Sequence, residues 1–226
     1  MSLANWTPPP APERKIMAGR YVRLEPLEDH HLPDLWAAQT DPEIWRYIPA
    51  GPFDDENAFG AWLSEARQKP DPLQFAVRME DGQIGGTLSL LRIKPEAGSI
   101  EVGYIVFTPR LQNTRDATEA IYLTMKFAFE AGYRRFEWKC DSANLPSRRA
   151  AQRLGLSYEG IFRQATVVKG RNRDSAWFAA IDKEWPSLET AFETWLAPEN
   201  FNEKGDQKSR LSDLTKDILV ARDPGT

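Results

Sequence analysis

Between residues 73 and 107 the chain offers three consecutive apolar, strand-like runs with little room between them. "LQFAVRME" (73–80) and "QIGGTLSLLRI" (83–93) bracket an Asp-Gly pair. That pair is a strong hairpin signal, because a two-residue turn between antiparallel strands needs positive φ in the turn. "GSIEVGYIVF" (98–107) follows as a further strand. A chain with this block has to build its core on a sheet.

The flanking periodicities add helices on either side of that block. "YVRLEPL" (21–27) alternates like a strand, and "EDHHLPDLWAAQT" (28–40) reads as a first helix. A connector rich in turn residues and aromatics, "DPEIWRYIPAGPFDDE", leads to a second helix over 55–68, with Ala58, Trp62 and Ala66 recurring on one face. A long helix spans about 116–132 and ends near Gly132. Then come a strand (134–141), a loop and short helix (142–155) closed by Gly155, and two strands (159–181) around a turn at Gly170 to Arg173. "EWPSLETAFETWL" (184–196) is a closing helix. The order predicts an α/β (α+β) fold, a mixed, mostly antiparallel sheet flanked by helices in one domain. The domain is expected over 19–197, after an extended, Pro-rich lead-in (1–18) and before a polar, appended tail (198–226) with one weak helical patch.

Composition narrows the function classes. The net charge is −4 and the pI about 5.4, which favours neither nucleic acid nor an anionic membrane as partner. No apolar run approaches a membrane span. The single cysteine, Cys140, excludes an internal disulfide and fits a reducing, cytoplasmic setting; a buried, inert thiol is expected there. His30 and His31 are adjacent but lack a spaced ligand set, so no metal is expected.

The stretch "RLQNTRDATEA" (110–120) leaves a strand and opens the long helix. A helix start presents unpartnered N–H groups and partial positive charge, which suits a phosphate. Asn113, Thr114 and Thr118 add side-chain donors, Arg115 adds charge, and Ala117 permits close approach. Asp116 points the other way, since as an N-cap it would occupy the same amides. On the residues alone, an anion site and a capped turn both stand. In the second segment, "CDSANLPSRRAAQRLGLSYEG" (140–160), Asn144 and Ser147 offer polar side chains to an amide-bearing ligand, or serve as turn and helix-start residues.

Together, "GRYVRLEPL", "EVGYIVFTPRLQNTRDATEA" and "NLPSRRAAQRLGLSYEG" resemble, in order, the GCN5-related N-acetyltransferase (GNAT) superfamily, and within it the RimJ/RimL-type ribosomal-protein N-terminal acetyltransferases. The resemblance runs from about Gly19 to Leu196. It implies acetyl-CoA as cosubstrate and direct acetyl transfer to an amine-bearing acceptor, a protein N-terminus or a small amine. The family's motif, Gln/Arg-x-x-Gly-x-Gly/Ala, holds the coenzyme A pyrophosphate on backbone amides. It falls on Gln112, Asn113, Thr114, Arg115, Asp116 and Ala117; Gln112 and Ala117 match, and Arg115 replaces a glycine. Positive φ there would strain Arg115 by about 1 kcal/mol; helical φ would instead set a cation beside the phosphates, the preferred reading. Ile105 and Phe107 are the implied backbone contacts to pantetheine. Asn144 and Ser147 would touch the pantetheine arm or lie near the thiol, with Tyr158 packing nearby. Arg115 or Arg148 would hold the 3′-phosphate.

An amine must lose a proton before it attacks a thioester. Glu101, an acid amid apolar neighbours on the central strand, is the candidate base, expected on the same sheet face as Ile105 four residues on. Ser147 is the candidate donor to the departing thiolate. Trp45, Tyr47 and Trp177 are candidate walls of the acceptor pocket or ordinary core residues, and Arg171–Arg173 reads as a solvated hairpin tip that could also meet an acidic acceptor. A homodimer through the closing helix is compatible with its aromatic content. The competing reading is a catalytically degenerate acyl-CoA-binding or protein-interaction module of the same fold.

Overall fold

The computed structural model describes every residue except 1, 2, 5, 39 and 40. Eight strands form one sheet: β1 Met17–Ala18, β2 Val22–Pro26, β3 Leu73–Met79, β4 Ile84–Lys94, β5 Ser99–Phe107, β6 Arg135–Asp141, β7 Ser157–Val168 and β8 Arg171–Ile181. Their spatial order is β1-β2-β3-β4-β5-β6-β8-β7. Every neighbouring pair is antiparallel except β5–β6. A parallel pair needs a long crossover, and the helix α3, Arg115–Glu130, supplies it.

The helices divide between the two faces. On one side α3, α4 (Leu145–Arg153) and α5 (Trp185–Leu196) bury a large core in which Leu88, Leu90, Ile100, Val102, Phe136 and Phe178 meet Met125, Ala128, Leu154 and Phe192. On the other side α1 (Leu32–Ala38), α2 (Glu56–Arg67) and the aromatic connector form a smaller core over Ala76, Ile84 and Val106. There Trp45 contacts Phe53, Phe59 and Trp62 with centroids 5.2–6.2 Å apart.

Three expectations need correction. The inward face of α2 carries Phe59 and Leu63, while Ala58 is exposed, because the larger apolar side chains win the core-facing positions. The β7–β8 turn is Lys169–Gly170, with φ of +48° and +72°, rather than Gly170 to Arg173. The polar tail is not merely appended. Its helix α6 (Leu211–Thr215) puts Leu211 into the main core, and the Thr215 hydroxyl donates to the Arg153 carbonyl at 3.1 Å.

Near the chain end Asp223, 3% exposed, takes two hydrogen bonds from the Arg148 guanidinium at 2.5 and 2.7 Å. Burial works to raise the Asp223 pKa, but these hydrogen bonds outweigh it and hold the carboxyl below its ordinary value. The pair therefore adds stability above the ordinary Asp range and loses it as the pH falls through the lowered value. Asp223→Asn leaves Arg148 buried and unpaired, with an expected loss of about 3 kcal/mol by denaturant titration at pH 7. An unchanged midpoint would contradict that.

Candidate functional site

The parallel β5–β6 ladder is short. Ser99–Val102 pairs with Arg135–Trp138, and beyond this the two strands separate. On the other side of β5 the register slips: Ser89 faces Gly103 but Thr87 faces Val106, so β5 holds one extra residue. The bulge sits at Tyr104, whose φ is +46°. It inverts the alternation. Glu101, Gly103 and Val106 face the α1–α2 side, while Ile105 and Phe107 pack toward the main core. Glu101 and Ile105 are thus on opposite faces, contrary to expectation, because the inserted residue breaks the period of two.

After β5 the chain turns through 108–114 into α3. The cap of α3 is Thr114, whose Oγ1 accepts from the Ala117 amide at 3.0 Å and donates to the Leu111 carbonyl at 2.6 Å. Asp116 is not the cap; it lies within the first turn, and burial raises its pKa against the pull of Arg115. The positive φ falls on Asn113, at +60°, a residue type that tolerates it. Arg115 is the first helical residue, so the missing glycine costs no backbone strain there. Its guanidinium lies 3.5 Å from the Tyr21 ring centroid and 5.3 Å from that of Phe201. The amides of Asn113, Thr114 and Arg115 donate to no acceptor among the described residues, while the Asp116 amide is turned to its own carboxylate. Gln112 braces the turn, donating from Nε2 to the Phe107 carbonyl at 2.8 Å. Thr118 is buried, and its hydroxyl accepts from Arg153 Nη2 at 2.7 Å.

Arg153 was not anticipated. It sits on the last turn of α4, forms no ion pair among the described residues, and burial lowers its pKa. A half-buried cation without a counter-ion among the described residues, in contact with the first turn of α3, is a place for an anion. Arg148, an expected 3′-phosphate ligand, is taken up by Asp223 and donates from Nη1 to the Ser142 carbonyl at 2.9 Å.

At the far end of β6, Asn144 caps α4, its Oδ1 accepting from the Ser147 amide at 3.2 Å, which leaves Nδ2 unengaged. Ser147 Oγ accepts from Trp138 Nε1 at 3.0 Å and is itself in hydrogen-bond contact with the Cys140 sulfur. Cys140 is buried, and burial pushes its thiol up to about 11 against a hydrogen bond from Ser147, which makes it inert at neutral pH. Tyr158 packs half-buried against the main core, its ring 5.5 Å from Phe178.

On the opposite face a chain of charges crosses the sheet. Glu101, 3% exposed, has Lys139 Nζ at 2.8 Å and Arg92 Nη1 at 2.6 Å, and Lys139 also pairs with Glu137 at 2.7 Å. Burial raises the Glu101 pKa, with Lys139 and Arg92 pulling the other way. The Lys139 ammonium lies 3.7 Å from the Trp177 ring centroid, and Trp177 packs on Phe162 at 4.7 Å. Tyr47 donates its hydroxyl to the Ala143 carbonyl at 3.3 Å, next to Asn144. Trp45 is a core residue, 2% exposed, and is withdrawn as a pocket wall; only its carbonyl is engaged outward, by Lys169 Nζ at 2.8 Å. The structure thus brings Tyr47, Asn144 and Ser147 to the open end of β6, with Glu101 and Trp177 on one sheet face.

Among the described residues, Glu25, His30 and His31 are close enough to share a cation. His31 is already spent: Nδ1 accepts from the Glu28 amide and Nε2 bonds Glu25. Among the described residues, no helix is long and apolar enough to cross a membrane.

A bulged central strand, a parallel neighbour that splays from it, and a turn with unpartnered amides after the bulged strand make up the candidate site. A family model described as the acetyltransferase (GNAT) domain matches residues 22–157, and the chain belongs to that family. It is similar to a GCN5-related N-acetyltransferase from Brucella melitensis, with 47% identity, 94% of this chain and 99% of that one covered, and a TM-score of 0.91. It is 26% identical to the uncharacterized N-acetyltransferase YnaD of Bacillus subtilis (strain 168), over 65% of this chain and 85% of that protein. RimL, a ribosomal L7/L12 α-N-protein acetyltransferase solved with coenzyme A, shares the fold at 19% identity and a TM-score of 0.62, over 74% of this chain and 99% of that one. The chain is therefore an N-acetyltransferase.

Proposed function

We propose that the protein moves an acetyl group from acetyl-CoA directly to a primary amine, an N-terminal or small-molecule one, in a ternary complex of the RimJ/RimL type. The observation that carries this is the row of three free amides at 113–115, beside a guanidinium, Arg153, that lacks a counter-ion among the described residues. The residues fit the cosubstrate: the amides and Arg153 meet phosphates, the β5–β6 opening takes an amide-bearing chain, and Asn144 Nδ2 donates to it. Bound acetyl-CoA supplies an activated thioester. The acceptor amine, held near Tyr47 and Trp177, gives its proton to Glu101 through one water and forms the C–N bond as the C–S bond breaks. Ser147 donates to the departing sulfur.

Initial velocities with acetyl-CoA and an amine panel test this. Intersecting patterns are expected, whereas parallel lines would indicate a covalent enzyme intermediate and contradict direct transfer. Asn144→Ala removes both the cap and the Nδ2 donor. Expected are a loss of about 1 kcal/mol in stability and a several-fold weaker affinity for coenzyme A. Asn144→Asp, which keeps the cap alone, should restore stability but not affinity; full restoration of affinity would reject the donor role.

A further inference from the structure

The closing helix and the segment after it lie outside residues 22–157, the stretch that the family model matches. They nevertheless reach the turn that opens α3. The Arg115 guanidinium has two aromatic neighbours, the Tyr21 ring at 3.5 Å and the Phe201 ring at 5.3 Å. It makes no hydrogen bond among the described residues, and its Nε is buried without a partner. Its one ion-pair contact among them, to Asp116 Oδ1, is a loose 3.8 Å.

Both rings are tied to the chain end. The Tyr21 hydroxyl donates to the Leu196 carbonyl at 2.7 Å. Half-buried Phe201 packs edge-on against Trp195, with centroids 5.2 Å apart. Trp195 is fixed in turn, since its Nε1 donates to Gln207 Oε1 at 2.8 Å and its carbonyl accepts from Asn200 Nδ2 at 2.9 Å. The same pair of rings touches a second cation. The Arg153 guanidinium lies 5.6 Å from the Trp195 ring centroid, and the Thr215 hydroxyl holds the Arg153 carbonyl. Thr118, which accepts from Arg153, is three residues beyond Arg115 and so shares its face of α3. Two guanidiniums without a close carboxylate among the described residues therefore flank the first turn of α3, one against Phe201 and one against Trp195.

We propose that Phe201 and Trp195 are positioning residues of the cosubstrate site, holding Arg115 and Arg153 as a pre-set pair for a phosphate of coenzyme A. The inference rests on the acetyltransferase reading and adds to it a segment beyond the matched domain. A guanidinium is planar and stacks on an aromatic face while its N–H groups stay available to a phosphate. Held in that way, it gives up little rotamer freedom when the ligand arrives. Arg115 stands where the family motif has glycine, so both halves of the Arg115–Phe201 contact lie outside that motif.

A double-mutant cycle on the full chain, read by calorimetric titration with coenzyme A, tests the proposal. Phe201→Leu keeps an apolar side chain and removes the ring. It is expected to weaken coenzyme A binding about fivefold and to make its salt dependence shallower, and Phe201→Tyr should restore both. On an Arg115→Met background, Phe201→Leu should have no further effect, because the two residues act through one contact. Losses that add across the two positions, or equal losses in the Leu and Tyr variants, would make Phe201 a packing residue and overturn the proposal. The wild-type chain gives a readout that needs no variant to fold: the Trp195 indole N–H and the Phe201 ring resonances should shift on saturation with coenzyme A. If they stay still while the amides at 113–115 shift, the proposal is overturned and the phosphate turn stands. A wild-type chain that binds no coenzyme A would overturn the acetyltransferase site, and this inference with it.

Discussion

Glu101→Gln is expected to lower turnover by about 100-fold at pH 7 and by only about tenfold at pH 9. General-base catalysis supplies about 10²–10⁴ in rate, and an α-amine with a pKa of about 7.7–8.0 needs that help at pH 7 but not at pH 9. The substitution tests chemistry rather than folding, because Lys139 keeps Glu137 at 2.7 Å and Arg92 is more than half exposed. Burial raises the Glu101 pKa while Lys139 and Arg92 oppose it, so the ionised base accumulates as the pH climbs through that raised value. Lys139→Met removes one opposing cation and should move the acid limb of the pH–rate profile upward. Equal losses at both pH values in Glu101→Gln, or an acid limb unmoved in Lys139→Met, would leave Glu101 as a structural ion-pair partner.

Arg153→Met should act in two opposite directions. The charge is half-buried, and burial alone lowers its pKa, so the folded chain holds that cation at a cost. Methionine keeps much of the aliphatic stem beside Trp195 and removes the charge. Thermal stability without ligand should rise by about 1 kcal/mol, which is about 2–4 °C in Tm for a chain of this size. Coenzyme A affinity should fall by about tenfold or more, since a charge-assisted phosphate contact is lost. The salt dependence of binding should become shallower with it. A variant that loses stability yet binds coenzyme A unchanged would show Arg153 to be a brace for Thr118 and Trp195 only.

The sheet and its helices were legible because each is written in a local period. The Asp-Gly hairpin, the long helix before Gly132 and the strand at 134–141 rest on side chains within a few residues of each other, and the structure has them within two residues of the expected bounds. What was not legible rests on single backbone angles or on distant partners. The bulge at Tyr104 puts its positive φ on a tyrosine, one residue after Gly103, and it reverses which face every later residue of β5 occupies. The glycine-free turn works because positive φ moved to Asn113, two positions before Arg115. Arg148 and Arg153 look alike in "SRRAAQRLG"; only the folded chain end, by giving Asp223 to the first and nothing to the second, separates a structural cation from a free one. Trp45 and Trp177 were equal candidates in the sequence, and the second core claims the former. Leu211 was hidden because the stretch before it is polar throughout.

The measurement that bears most directly on the account is an amide-resolved NMR titration with coenzyme A, with hydrogen exchange read on the same sample. The amides of Asn113, Thr114, Arg115 and Asp116 should shift together, saturate and gain protection, with Ile105, Phe107 and the Asn144 side-chain amide following. Saturable binding that leaves 113–116 unmoved, or no binding at all, would contradict the assignment of this turn as the phosphate site.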